Sequence, residues 1–186
     1  MIRENPKTSW NDSESMPTIA RTAYVDEAAT VIGDVRIGER VYIAPGASVR
    51  ADEATPIIIG DECNVQDGAV FHGLEGSSIM LGRRVSIAHG AVVHGPLKIG
   101  DGSFVGFNAV VHASALAERC FVGHLALVVG VSLREGSFVP PGAIVDSQEK
   151  ADGLGPIPES LRGFNDEVVG VNTEFADVYR VKERSC

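Results

Sequence analysis

The stretch LGRRVSIAHGAVVHGPLKIGDGSFVGFNAVV, residues 81–111, carries an aliphatic residue at every sixth position. These positions are Leu81, Ile87, Val93, Ile99, Val105 and Val111. Glycine often follows them directly, and glycine suits the tight corners of a repeated turn. Repeated hexapeptides of this type indicate a parallel β-helix, in which each hexad forms a short strand and a turn. Three hexads then make one triangular coil of about 18 residues.

The same period extends in both directions from this stretch. Sixteen of nineteen successive positions are Val, Ile or Leu. The full series is Val25, Val31, Ile37, Ile43, Val49, Ile59, Val65, Phe71, Leu81, Ile87, Val93, Ile99, Val105, Val111, Ala117, Gly123, Val129, Val139 and Val145. We therefore predict an all-β fold that consists of a parallel β-helix with these residues pointing inward.

Three steps in the series span ten residues instead of six: Val49–Ile59, Phe71–Leu81 and Val129–Val139. Each step indicates an insertion of four residues. Counted around the triangle, all three insertions fall on the same face. We expect the first two to form neighbouring loops on adjacent coils.

Segments of different composition flank the repeat. Residues 1–16 form a polar N-terminal tail in which Trp10 is the only aromatic residue, residues 17–146 form the β-helix, and residues 147–186 form a linker and a helix. Apolar residues recur at helical spacing from Leu161 to Tyr179, which predicts an amphipathic helix from about Glu159 to Arg180. This helix packs either along the β-helix or on a neighbouring subunit.

The composition excludes several classes of protein. The chain has 186 residues, of which 44% are hydrophobic and 6% aromatic, and its net charge is −9, which argues against binding to nucleic acid or to an anionic membrane. It contains no apolar run of the ~20 residues that a membrane span needs, and no secretory signal precedes the repeat. The spacing of Cys63, Cys120 and Cys186 is not that of a metal site, so we interpret them as reduced thiols of a cytoplasmic protein.

The repeat also places the histidines. His72 and His94 each follow an inward residue and are separated by one coil plus an insertion, so they stack about 4.8 Å apart and can share one metal ion. His89 lies on the preceding face, roughly 15 Å along the chain from His94, so we expect it to reach such a metal only from a neighbouring subunit. His112 and His124 are interpreted as structural or interface groups.

Two charged residues test this arrangement. Arg50 precedes His72 by one coil in the same column, and Asp67 precedes His89 by one coil. If His89 of one subunit meets His72 and His94 of another, Asp67 must meet Arg50 one coil away. This charge-matched pair favours a cyclic homotrimer with metal ions at its subunit interfaces.

At these residues the chain resembles the γ-class carbonic anhydrases. The matching motifs are Arg50-Ala-Asp-Glu53, Asn64-Val-Gln-Asp-Gly68, His72-Gly-Leu-Glu75 and Ser86-Ile-Ala-His89 through His94-Gly-Pro96. The likeness runs from about Pro17 to Val178 and extends to the N-terminal domain of the carboxysomal scaffold protein, which belongs to the same family. It implies a left-handed parallel β-helix that forms a trimer and hydrates CO2 reversibly to bicarbonate.

The resemblance further implies roles for individual residues. His72 and His94 of one subunit and His89 of the next would hold Zn²⁺, or alternatively Fe²⁺ or Co²⁺, with metal-bound hydroxide attacking CO2. The other implied site residues are Gln66 as hydrogen-bond partner of the hydroxide, Asn64 as its support, Asn172 as the residue orienting CO2 or bicarbonate, Glu53 and Glu75 as carboxylates of the site, and Arg50, Asp52 and Asp67 as interface ion pairs. The alternative interpretations are that Asn64 only closes a turn and that Glu53 is a solvated loop charge.

Two departures from the family prototype leave alternatives open. Glu75 occupies the His-x-x-Glu position, but loop 76–80 lacks the further acid that serves the prototype as a proton shuttle. Gly170 stands where the prototype has a tyrosine. A catalytically weak γ-carbonic-anhydrase-like scaffold or assembly subunit that binds metal or bicarbonate is therefore the alternative to an enzyme. A hexapeptide acyltransferase is a third candidate, since it shares the repeat but needs only one catalytic histidine.

Overall fold

The computed structural model of the chain describes residues 1–53 and 55–183. The hexapeptide repeat forms strands of two to four residues joined by tight turns. Within the described residues the strands are β1 (Ile2–Arg3), β2 (Thr18–Ile19), β3 (Tyr24–Val25), β4 (Thr30–Gly33), β5 (Val35–Ile37), β6 (Tyr42–Ile43), β7 (Ser48–Ala51), β8 (Ile57–Ile59), β9 (Asn64–Val65), β10 (Val70–His72), β11 (Ile79–Leu81), β12 (Ser86–Ile87), β13 (Val92–His94), β14 (Leu97–Ile99), β15 (Phe104–Val105), β16 (Val110–His112), β17 (Ala115–Leu116), β18 (Phe121–Val122), β19 (Leu127–Val129), β20 (Ser132–Leu133), β21 (Phe138–Val139) and β22 (Ile144–Val145).

Successive strands belong to three different parallel sheets, which confirms the predicted parallel β-helix. Sheet A has the order β1-β4-β7-β10-β13-β16-β19-β22, sheet B the order β2-β5-β8-β11-β14-β17-β20, and sheet C the order β3-β6-β9-β12-β15-β18-β21. Each strand therefore pairs with the strand one coil earlier and one coil later. Equivalent residues of adjacent coils lie side by side in each sheet.

The inward residues fill the centre of the triangle. On sheet A, Phe71 pairs in register with Val49 on one side and Val93 on the other, and all three are fully buried. This register accommodates the first two insertions as predicted. Burying an aliphatic or aromatic side chain of this size contributes about 1.5–3 kcal/mol, so the repeated inward positions stabilise the coil.

Three predicted inward positions after Val111 are wrong, whereas Val139 and Val145 are inward as predicted. Sequence counting placed Ala117, Gly123 and Val129 inward, whereas the structure turns the preceding residue inward in each case. The inward residues are Leu116, Val122 and Val128. The corner at Ala113, which adopts a left-handed conformation with φ of 48°, is one residue shorter than a regular corner. Burying leucine and valine rather than alanine and glycine removes more apolar surface from water.

The insertion predicted between Val129 and Val139 is also wrong. The stretch contains β20, whose Leu133 is buried and pairs in register with Leu116. Its corner at Gly130 is again short, and Gly130 adopts positive φ. Two short corners therefore explain what appeared in the sequence as one long insertion.

Both ends of the coil are covered. At the N-terminal end β1 pairs with β4, and the buried Asn5 donates to the carbonyl oxygens of Pro6 and Ser13 and accepts from the backbone N–H of Ser15. At the other end the short helix α1 (Gln148–Asp152) places Ala151 in the core. The polar tail thus pairs with the first coil through its backbone, and the side chain of Asn5 holds the tail together.

The C-terminal helix α2 spans Phe164–Glu183, and the segment Glu159–Leu161 forms a separate 3₁₀ turn. The predicted start at Glu159 is therefore wrong, because Gly163 adopts positive φ and interrupts the helix before Phe164. No helix in the described part of the chain is long and apolar enough to cross a membrane.

The side of α2 that faces sheet C agrees with the prediction only in part. Its buried residues are Val169, Asn172, Thr173 and Ala176. Of the predicted apolar stripe, Phe164, Phe175 and Tyr179 contact aromatic side chains of sheet C, whereas Val171 and Val178 are 52% and 46% exposed. Small side chains allow the helix to approach the sheet closely, and several larger apolar side chains stay exposed on the surface of the single chain.

Cys63 and Cys120 are buried free thiols, as predicted for reduced cysteines, and Cys186 lies outside the described residues. Burial raises the pKa of Cys63 to about 12 and that of Cys120 to about 11.

The thiolate is the reactive form of cysteine. In a Cys186→Ser variant we therefore expect Cys63 and Cys120 to resist iodoacetamide at pH 8 in the native state and to react fully in concentrated guanidinium chloride. Mass spectrometry measures the labelling, and rapid modification of the native protein would contradict this prediction.

Candidate metal centre

The predicted column of polar residues on sheet A is present. Arg50, His72 and His94 pair in register on β7, β10 and β13, and His112 follows on β16. The ring centroids of His72 and His94 are 5.6 Å apart. Because both side chains point outward from the same position of adjacent coils, the two imidazoles lie next to each other.

One nitrogen of His72 fits a metal ligand. Its Nε2 atom is buried and has no hydrogen-bond partner among the residues that the structure describes. The closest acidic oxygens are Oδ1 of Asp52 at 3.2 Å and Oε1 of Glu53 at 4.0 Å. A buried polar nitrogen is rarely left unsatisfied, and imidazole nitrogens and carboxylate oxygens are both ligands of divalent metal ions.

The other two predicted ligands are oriented by bonds to their Nδ1 atoms. His94 Nδ1 lies 3.0 Å from the carbonyl oxygen of Gly95, and His89 Nδ1 lies 2.9 Å from Oδ2 of Asp67. When Nδ1 donates to an oxygen, Nε2 carries the free lone pair. Histidine ligands of metals are usually held in this way. All three residues thus keep Nε2 available.

The three nitrogens do not converge within one chain. In residues 1–53 and 55–183 no group of three His, Cys, Asp or Glu side chains is placed to hold a metal ion. The predicted residues instead form two groups, on sheet A and on sheet C. We call Arg50, Asp52, Glu53, His72 and His94 the A half-site, and we call Asn64, Gln66, Asp67, His89 and Asn172 the C half-site.

The C half-site rests on a column of outward residues that α2 covers. In coil order the column is Tyr24, Tyr42, Asn64, Ser86, Phe104, Phe121 and Phe138. It is aromatic at both ends and polar in the middle, where Asn64 and Ser86 are completely buried. The aromatic ends support the helix, and the polar middle forms the floor of the half-site.

Hydrogen bonds along this floor orient Gln66. Asn64 Nδ2 donates to Ser86 Oγ at 2.8 Å, and Gln66 Nε2 donates to Asn64 Oδ1 at 2.9 Å. Since the amide nitrogen of Gln66 points to Asn64, its oxygen Oε1 points away from the floor. Asn64 therefore orients Gln66 instead of closing a turn. Ser86 was missed by sequence reasoning, although its position one coil after Asn64 is the signal that could have identified it.

A groove of about 430 Å³ lies between α2 and sheet C. Gln66, His89 and Asn172 line it together with Phe107 and Phe175. Asn172 Nδ2 donates to the carbonyl oxygen of Val168 at 2.8 Å, which fixes its amide. The fold thus brings together three predicted site residues that are far apart in sequence.

The two insertion loops meet at the A half-site. Glu53 Oε2 accepts a hydrogen bond from the backbone N–H of Glu75 at 3.2 Å, and the side chain of Glu75 is exposed. The interaction holds the Glu53 carboxylate beside His72. Glu53 is therefore a positioned group and not a freely solvated loop charge.

The residues predicted to pair across an interface have partners within the chain. Arg50 lies 2.9 Å from Asp52, and Asp67 binds His89 as described above. His124 has a structural role, since its Nδ1 accepts from the backbone N–H of Phe107 at 2.9 Å and its ring stacks on Phe107. The pair of Arg50 and Asp67 stays a prediction.

Comparison with known proteins identifies two kinds of relative. A carbonic anhydrase of Methanosarcina thermophila is 38% identical over 200 residues, which cover 96% of this chain and 81% of that protein. The carboxysome assembly protein CcmM of a Nostoc species is 40% identical over 177 residues, which cover 90% of this chain and 32% of that protein. The chain thus spans about a third of the length of that assembly protein. No protein-family model matches the chain.

Solved structures share the fold. A hexapeptide transferase family protein from Anaplasma phagocytophilum superposes with a TM-score of 0.76 at 21% identity, covering 95% of this chain and 98% of that one. Perosamine N-acetyltransferase of Caulobacter crescentus gives a TM-score of 0.51 at 21% identity, covering 73% and 56%. At these identities the likeness shows the β-helical fold alone.

Proposed function

Because the chain belongs to the γ-class carbonic anhydrase family, we propose that it is a metal-dependent enzyme that hydrates CO2 reversibly to bicarbonate. The observation that carries the proposal is that Nε2 of His72 has no hydrogen-bond partner within the described part of the chain, and that Nε2 is left available in His89 and His94, whose rings are oriented through Nδ1. Acyltransferases need no such set, and the likeness to them is confined to the fold.

We infer that the site forms between subunits of a homotrimer. Each half-site is incomplete by itself, and the two lie on different faces of the same triangle. A cyclic arrangement brings the A half-site of every subunit against the C half-site of the next. His72 and His94 of one subunit then meet His89 of its neighbour, and Arg50 meets Asp67 one coil away.

The histidines fit Zn²⁺, Fe²⁺ or Co²⁺, because three neutral imidazoles suit these ions and leave a coordination position open. When bound, the ion supplies Lewis acidity that makes water a nucleophile near neutral pH. Gln66 Oε1, pointing away from its floor, accepts a hydrogen bond from the attacking water and orients it. Asn172, on the opposite wall of the groove, binds CO2 and bicarbonate.

The carboxylates of the insertion loops serve proton removal in this proposal. Glu53 is held beside His72 by the backbone N–H of Glu75, and it accepts the proton that hydration releases. The exposed side chain of Glu75 then passes the proton to solvent. Asp52 is engaged by Arg50 and serves the interface instead.

A catalytically weak scaffold or assembly subunit is the second candidate. It is favoured by Gly170, which stands where the family prototype carries a tyrosine. The space beside Gly170 is open, so no neighbouring side chain among the described residues takes the place of that tyrosine. The match to a carboxysome assembly protein agrees with this alternative. For either function we propose a cytoplasmic location, which rests on the two free thiols.

Stopped-flow CO2 hydration tests the proposal. The protein is purified anaerobically, assayed, stripped with a chelator and assayed again after addition of Zn²⁺. We expect a rate above buffer that is lost on chelation and restored by Zn²⁺, while a His72→Ala variant remains at the buffer rate. Absence of a rate above buffer in both the anaerobic and the Zn²⁺-loaded sample would refute the enzyme and favour the scaffold.

We expect the Ser86→Ala substitution to lower kcat/KM for CO2 hydration about tenfold, which corresponds to about 1.4 kcal/mol. Asn64 loses the acceptor of its amide, so Gln66 is no longer held in one orientation. Ser103→Ala is a matched control, since Ser103 is equally buried but bonds to Ala117 and Cys120. Equal losses in the two variants, measured by stopped flow, would contradict the role of Ser86.

A further inference from the structure

The position of α2 determines where Asn172 lies, and one side chain attaches the start of this helix to the coil. Asn165 Nδ2 donates to the carbonyl oxygens of Arg84 at 3.0 Å and Gly102 at 3.1 Å. Arg84 and Gly102 occupy the same corner of adjacent coils, and both have positive φ. A single amide group thus connects the helix to two successive coils at once.

Ion pairs support this attachment from the same corner. Arg84 reaches Asp166 of the helix at 2.9 Å and Glu62 of the preceding coil at 2.8 Å. Glu62 also binds Arg40, which reaches Asp177 of the helix at 3.1 Å. These pairs are partly exposed, so each contributes little free energy by itself. They nevertheless restrict the directions in which the helix can move.

The remaining contacts of α2 are aromatic and apolar. Phe164 packs on Phe104 with ring centroids 5.3 Å apart, and Phe175 and Tyr179 further along pack on Tyr42 and Tyr24 beside small buried side chains such as Ala176. Apolar contacts are not directional, whereas hydrogen bonds to fixed carbonyl oxygens are. Asn165 therefore adds a directional contact that favours one position of the helix along the coil.

We propose that Asn165 is a positioning residue that sets the place of Asn172 relative to Gln66 and His89. Asn172 follows Asn165 by two helical turns, about 10 Å along a continuous helix. A shift of the first turn is transmitted to Asn172, and displacements of about 1 Å lower rates strongly in positioned sites. The catalytic consequence rests on the proposed CO2 hydration.

A double-mutant cycle tests the proposal. Asn165→Ala is expected to lower kcat/KM about tenfold while metal content and trimer mass stay unchanged. In an Asn172→Ala background the same substitution is expected to have less than about a twofold effect, because residues acting as one unit are not additive. A full loss in both backgrounds, or no loss in either, would overturn the proposal. Asn165→Asp, which keeps the shape but loses the N–H donors, replaces the alanine variant if the latter does not fold.

Amide hydrogen exchange of the full chain gives a readout independent of activity. We expect Asn165→Ala to accelerate exchange of the amides of residues 168–172 about tenfold, and Glu174→Ala, on the exposed side of α2, to leave it unchanged. Unchanged exchange in Asn165→Ala would overturn the positioning whether or not the wild-type chain hydrates CO2. A wild-type chain without hydration would refute the proposed function, and the exchange data would still decide the positioning.

Discussion

Mixing His72→Ala subunits with His89→Ala subunits is expected to restore about one quarter of the wild-type hydration rate, although neither variant is active alone. Each site takes His72 and His94 from one subunit and His89 from the next. In a cyclic trimer of both variants, one interface combines an intact A half-site with an intact C half-site. Random assembly from equal amounts makes about three quarters of the trimers mixed, with one of three sites intact in each.

A second mixture provides the control for this experiment. His72→Ala and His94→Ala both damage the A half-site, so no combination of these subunits contains an intact site. Both mixtures are refolded together with Zn²⁺ and compared by stopped flow at equal trimer concentration. Equal rates in the two mixtures, or an active His89→Ala homotrimer, would contradict a site shared between subunits.

Reversing the charge of either Arg50 or Asp67 is expected to dissociate the trimer, and reversing both is expected to restore it. In Arg50→Asp or Asp67→Arg two like charges face each other across the interface, which costs about 2–5 kcal/mol per interface. The double variant recreates an opposite-charge pair. Light scattering over a range of concentrations measures the mass, and activity is not the readout because Asp67 also holds His89.

Arg36→Asp is the matched control for charge reversal. Arg36 lies on sheet B and pairs with Asp34 of its own chain at 2.9 Å, so we expect its reversal to leave the trimer intact. Thermal unfolding of each variant shows that the chain itself remains folded. A double variant that is no more trimeric than the single variants would exclude the predicted contact.

The accuracy of the sequence prediction depended on how far each feature follows from local periodicity. Positions up to Val111 were correct, because each coil before it adds full hexads or a visible insertion of four residues. Counting failed where a corner lost one residue at Ala113, since a short corner changes spacing without changing composition. The packing of α2 followed the prediction only in part, because apolar side chains predict burial, but Val171 and Val178 are exposed in the single chain.

The sequence by itself determined the coil and, with it, the stacking of His72 on His94 and of Asp67 on His89. Inward burial of one aliphatic residue per hexad sets the register of every coil, so counting residues was enough. Only the tertiary structure decided which histidine nitrogen stays free, how Ser86 and Asn64 orient Gln66, and where Asn165 holds the helix. These features depend on the directions of hydrogen bonds between residues on different coils, and periodicity carries no information about direction.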